Sequence, residues 1–91
     1  MEPAEIETVI RRLPEVENCA VIGISDVTSG QRPAAALVLK PDCILDAIIK
    51  TIKQILPAYM QPCKFVVMEK LPYLSNGKIN FTALEKELQN R

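Results

Sequence analysis

The 91 residues carry 11 basic and 11 acidic side chains, no histidine, and a 48% hydrophobic share with only two Tyr, two Phe and no Trp. One small domain with an aliphatic core is implied. Zero net charge and few stacking aromatics argue against a nucleic-acid partner, and the missing histidine removes Ser-His-Asp triads, imidazole acid–base chemistry and most zinc sites, so no metal site is expected.

Pro3, Glu2, Glu5 and Glu7 suit the first turn of a helix over 3–13. Ile6, Val9, Ile10 and Leu13 share one face, Glu7 and Arg11 can pair on the wet side, and Pro14 stops the helix. Residues 16–25 are predicted as a strand, apolar enough over 20–24 for burial on both faces. A turn or loop over 26–32, holding Gly30 and with Asp26 as a turn acceptor, leads to a second strand over 33–40, antiparallel to the first. Asp42 is the expected N-cap of a helix over 43–56. Its broad stripe of Ile44, Leu45, Ile48, Ile49, Ile52, Ile55 and Leu56 reads as core.

Two prolines constrain a turn over 57–62, which Tyr59 and Met60 are expected to pack. Residues 65–68 form a third short strand, 69–79 a loop without periodicity, and Asn80 can cap a last helix over 81–89 with Phe81, Leu84 and Leu88 inward. The sum is an α+β domain: a small, mainly antiparallel sheet of about three strands layered with three helices in the order α-β-β-α-β-α. So small a sheet has edges to protect, by strands outside this chain or by a partner surface. No run of about 18 apolar residues is present, so no membrane span is expected, and Met-Glu-Pro-Ala-Glu at the start has no signal-peptide core. Cys19, Cys43 and Cys63 are an odd set without C-x-x-C spacing and read as free thiols of a reducing, cytoplasmic compartment.

The segment Leu71-Pro-Tyr-Leu-Ser-Asn-Gly-Lys78 is the one that suggests chemistry. Gly77 lets the backbone turn sharply, and the Lys78 ammonium is a compact charge suited to a phosphate or carboxylate. It is not a Walker A loop, because Pro72 stands where the first glycine belongs and Ile79 replaces the Ser/Thr. On local grounds alone the favoured reading is a solvated lysine beside a turn glycine.

Ordered motifs along nearly the whole chain carry a further signal. Pro3-Ala-Glu-Ile-Glu7, Leu13-Pro-Glu-Val16 with Ala20-Val-Ile-Gly-Ile-Ser-Asp26, Gly30-Gln-Arg-Pro-Ala-Ala-Ala-Leu-Val-Leu39, Leu56-Pro-Ala-Tyr-Met-Gln-Pro62 and Leu71-Pro through Gly77-Lys78 follow one another. In this order they resemble the C-terminal subdomain of the adenylate-forming enzymes, the superfamily of acyl-CoA ligases, beetle luciferases and nonribosomal peptide synthetase adenylation domains. The resemblance implies that 1–91 is a single lid subdomain of an ATP-dependent, AMP-producing acid–thiol ligase. Lys78 falls on the catalytic lysine of the adenylation step, with Asn76 and Gly77 as the ATP-proximal loop that supports it.

The resemblance also implies a large N-terminal adenylation domain of the same parent protein, which holds ATP, Mg2+ and a small carboxylic or amino acid. The thiol acceptor would be coenzyme A or the phosphopantetheine of an acyl or peptidyl carrier protein. The hinge and the loop serving the thioester step would precede Met1, so the isolated chain is not expected to turn over. The family's G-K-[IV]-D-R becomes Gly77-Lys-Ile-Asn80-Phe81 here, which changes the contacts flanking Lys78. A non-catalytic interaction module of the same fold is the alternative.

Overall fold

The computed structural model describes residues 3–26 and 30–90. Helix α1 spans Pro3–Arg11, strand β1 Val16–Asp26, strand β2 Gly30–Leu39, helix α2 Leu45–Ile55, strand β3 Lys64–Val67 and helix α3 Phe81–Asn90, with a 3-10 turn at Ala58–Met60. The order and the α+β class are those expected from the sequence. The sheet runs β1-β2-β3. β1 and β2 pair antiparallel from Val16↔Leu39 to Asp26↔Gly30, whereas β3 joins β2 in parallel from Ala34↔Lys64 to Leu37↔Val67. The sheet is therefore mixed: α2 carries the chain back across it, as a parallel pair requires.

Strand β2 is buried on both faces, with Ala34, Ala35, Ala36, Leu37 and Val38 all in the core. Its alternate residues feed two clusters. Ala35 and Leu37 meet Cys19 and Val21 of β1, Ile6 and Ile10 of α1, and Ile48, Ile52 and Leu56 of the α2 region. Ala34, Ala36 and Val38 face the other way, onto Ala20, Ile24, Val66, Leu71, Leu84 and Leu88. The molecule thus has three layers: α1 and α2, the sheet, then α3 with the segment that precedes it.

Several local expectations change. α1 ends two residues early, because Arg12 and Leu13 donate to Val9 and Ile10 at i−3 (3.2 and 3.1 Å), a tightened final turn. Asp42 does not cap α2. It adopts φ +65, a conformation Asp tolerates, and the helix starts three residues later behind Ile44, which makes no side-chain cap. Only the centre of the α2 stripe reaches the core: Ile48, Ile52 and Leu56 are buried, while Ile44 and Ile55 are exposed because the stripe is wider than the sheet face it covers. Tyr59 is likewise exposed, and Met60 alone packs the turn. Glu2 and the side chain of Asp26 lie outside the described residues.

The Glu7–Arg11 pair forms (2.9 Å) and also serves edge strand β1. Arg11 Nη2 donates to the Cys19 carbonyl (2.7 Å), and Glu7 Oε2 accepts from the Val21 amide (3.4 Å), so side chains from α1 occupy backbone groups of that edge.

Burial beneath this pair sets the chemistry of Cys19. Desolvation, with the nearby Glu7 charge, pushes its thiol from 9.0 up to about 12, against the opposing effect of Arg11. The unfolded thiol ionises as pH passes 9.0 and the folded one only near 12, so unfolding releases protons in that window. The Cys19 contribution to stability is complete below the lower value and is lost as pH rises toward the upper one. Urea unfolding of wild type and Cys19→Ala from neutral pH to about 10.5 is expected to show the gap between them narrowing. A gap constant with pH would mean that the buried thiol ionises as freely as the unfolded one.

Candidate functional site

Strand β3 ends at Val67, and Met68 still donates to the Leu37 carbonyl (2.9 Å) before the chain leaves the sheet. Leu71, buried in the second cluster, pins the next segment beneath α3. From there 73–79 forms a small hairpin rather than the featureless loop expected. Tyr73 bridges Ile79 antiparallel, Leu74 N–H donates to Lys78 C=O (2.7 Å), and Asn80 N–H donates to Pro72 C=O (2.9 Å). Gly77 N–H closes the turn onto Leu74 C=O (2.9 Å). Ser75-Asn-Gly77 is thus a three-residue hairpin loop ending in a left-handed residue. The signal was present in the sequence: a Ser-Asn-Gly turn flanked by Tyr73 and Ile79, both good strand formers.

Each predicted site residue has a definite place in this hairpin. Asn76 Oδ1 accepts from the Lys78 N–H (3.0 Å), an i to i+2 side-chain bond that fixes the backbone at the lysine. Gly77 takes φ +87. A Cβ there would meet nothing within 4 Å, so the demand for glycine is conformational and not a matter of space. Lys78 follows directly and is exposed, and among the described residues no ion pair or hydrogen bond engages its ammonium. The cation is held by its backbone and left open at its tip.

Gly77→Ala is expected to cost about 1–2 kcal/mol by forcing a Cβ into the left-handed region. Gly77→Asn should cost less, since Asn visits that region more readily. Urea midpoints of the two variants check this, and an Ala variant as stable as wild type would show that the turn does not need the conformation.

The far side of the hairpin is set by α3. Asn80 caps it as expected, with Oδ1 accepting from the Ala83 N–H (3.1 Å) and its carbonyl from Leu84 N–H (3.0 Å). Lys64 Nζ closes the other end on the Leu88 carbonyl (2.8 Å). Leu84 and Leu88 are fully buried, but Phe81 is not. It lies at the first residue of the helix, where side chains tilt back toward the N-terminus, past the end of the core.

Phe81 (58% exposed), Tyr73 (50%) and Leu74 (45%) are therefore outward apolar groups on the residues around Lys78. Among the described residues no group of three His, Cys, Asp or Glu side chains is placed to hold a metal ion, and no helix is long and apolar enough to cross a membrane.

Residues 5–78 match the family model described as "AMP-binding enzyme C-terminal domain". Surfactin synthase subunit 2 of Bacillus subtilis is 36% identical over 84 residues, covering 92% of this chain and 2% of that protein. The 2-succinylbenzoate–CoA ligase of Staphylococcus epidermidis is 33% identical over 85 residues, covering 93% of this chain and 18% of that enzyme. Among solved structures, a Mycobacterium tuberculosis fatty acyl CoA synthetase superposes with a TM-score of 0.80 at 35% identity, over 93% of this chain and 17% of the other. The chain thus spans only a small part of the length of the relatives it matches.

Proposed function

This chain belongs to the AMP-binding enzyme C-terminal domain family of acyl-CoA ligases and peptide-synthetase adenylation domains, and on that premise we propose that it is the mobile lid of an acid–thiol ligase and that Lys78 is its catalytic residue. The observation that carries this reading is the unengaged ammonium of Lys78 on a hairpin whose backbone is fixed by Asn76 and Gly77. A rigid arm with a free charge at its end suits delivery to a site on another body. The exposed Tyr73, Leu74 and Phe81 beside it support the same view, since an apolar surface around a cation is one that a second domain would cover.

In the reaction, a carboxylate attacks the α-phosphorus of ATP and pyrophosphate leaves. Negative charge grows on the phosphoryl oxygens as the new bond forms. The Lys78 ammonium, brought in by closure of the lid, would sit against those oxygens and the attacking carboxylate, where its attraction grows toward the transition state. Closure would also exclude water from the acyl-adenylate. ATP, Mg2+ and the acid would be held mainly by a large N-terminal domain, with the Lys78 ammonium, a compact charge, meeting the phosphate from this chain. A swivel of the lid would then admit the thiol, coenzyme A or a carrier-protein phosphopantetheine, and the acyl group would pass to sulfur with release of AMP.

Acid-dependent exchange of labelled pyrophosphate into ATP by the intact ligase, over a panel of proteinogenic amino acids and straight-chain fatty acids, tests this function. Exchange with one class of acid is expected. No exchange with any would favour a domain that kept the fold as a non-catalytic interaction module.

A further inference from the structure

The hairpin that bears Lys78 is tied to the sheet by a contact that the proposed chemistry does not itself require. Asn18 Nδ2 donates to the Tyr73 hydroxyl (2.8 Å), joining residues 55 positions apart. Tyr73 is the first residue of the hairpin, paired across it with Ile79. Asn18 lies on β1 where the register with β2 shifts between Val16 and Asn18. Such irregularities re-aim a side chain out of the ladder. The amide is also fixed at its other end, because Asn18 Oδ1 accepts from the Cys19 N–H (2.9 Å). With the oxygen taken, the NH2 group is directed at Tyr73.

The space around this bond gives it consequence. A cleft of about 220 Å³ opens between Glu17, Val38, Glu69 and Leu71, with Asn18 and Tyr73 as one wall. The base of the hairpin is therefore not packed solidly against β1. Away from the cleft it is anchored by Ile79 against the second cluster and by the Asn80–Pro72 backbone bond. A hairpin packed on one side and facing a cleft on the other can tilt, and the Asn18–Tyr73 bond spans the open side.

We propose that Asn18 and Tyr73 are positioning residues that set the tilt of the hairpin and thereby the aim of Lys78. The proposal rests on the lid reading, in which Lys78 must meet a reacting phosphoryl group within a fraction of an ångström. Displacement of a catalytic group by about 1 Å can cost up to about 100-fold in rate. A single hydrogen bond, lost while the other anchors persist, is expected to cost about tenfold.

In the intact ligase, Tyr73→Phe and Asn18→Ala are each expected to lower kcat of acid-dependent ATP–pyrophosphate exchange about tenfold, with KM for ATP and acid unchanged. The double variant should lose no more than either single one, because both remove the same bond. Asn18→Asp should retain wild-type kcat: one carboxylate oxygen can accept from Cys19 N–H and the other from the tyrosine hydroxyl. A purely structural role would lower thermal stability without this split between kcat and KM or the rescue by Asp. Lys78→Ala measured alongside separates the two claims. If it abolishes exchange while Tyr73→Phe and Asn18→Ala keep wild-type kcat, the positioning role is overturned and the lid reading stands. Independent, multiplying losses from the two single variants would overturn the pairing as well. If Lys78→Ala leaves exchange intact, both claims fall.

Discussion

Lys78→Ala in the intact ligase is expected to reduce acid-dependent ATP–pyrophosphate exchange by about 10²–10³-fold. That is the scale for removing one preorganised charge from a water-excluded site where charge develops. An exposed lysine with no such role would behave differently, since surface substitutions away from special features usually change stability by no more than about 0.5 kcal/mol. The structure makes the substitution clean. Lys78 contributes its backbone to the hairpin through Leu74 and Asn76, and Ala keeps both bonds while removing only the ammonium. Lys78→Arg is expected to recover part of the rate. It keeps the charge, but a planar fork replaces a compact ammonium and cannot occupy the same point. Thermal unfolding of the Ala variant should match wild type, which separates lost chemistry from lost fold.

Leu84→Ala should instead act through the fold. Leu84 is fully buried between α3 and the sheet, in the cluster that also holds Leu71 and Leu88. Truncating such a side chain removes transfer energy and leaves a cavity, about 2–5 kcal/mol together. A domain of this size has only some 5–15 kcal/mol of stability in total. The melting temperature should fall by roughly 4–8 °C for each kcal/mol lost. Ala keeps the backbone bond from the residue-84 amide to the Asn80 carbonyl, so the loss is one of packing alone. Differential scanning calorimetry and urea midpoints check this, and a drop of under 1 kcal/mol would mean that α3 is not part of the core.

Most of the fold was legible because its elements are strongly patterned. Ile6 and Ile10 on α1, Ile48 and Ile52 on α2, and Leu84 and Leu88 on α3 have helical spacing, and all are fully or almost fully buried. The parallel placement of β3 was not legible, because a four-residue strand with both faces in use carries no mark of its direction. The Asp42 cap failed because a left-handed turn and a cap draw on the same residue types. Ile44, Ile55 and Phe81 were read as core because periodicity reports the face of a helix but not how far the neighbouring layer extends beneath it. At the candidate site, the ordered motifs single out Asn76, Gly77 and Lys78 as an expectation, and the structure adds the hairpin that holds them. The Asn18–Tyr73 bond had no sequence signal, since nothing local links residues that far apart.

The central claim is that Lys78 serves adenylation and little else, and the ratio of the two half-reaction rates in Lys78→Ala tests it most directly. One assay follows acyl-adenylate formation from ATP and acid; the other follows thioester formation from adenylate supplied ready-made. A loss of about 10²–10³-fold in the first, with the second unchanged, is the result expected of a lid that carries its charge to one step. Equal losses in both, or none in either, would contradict it.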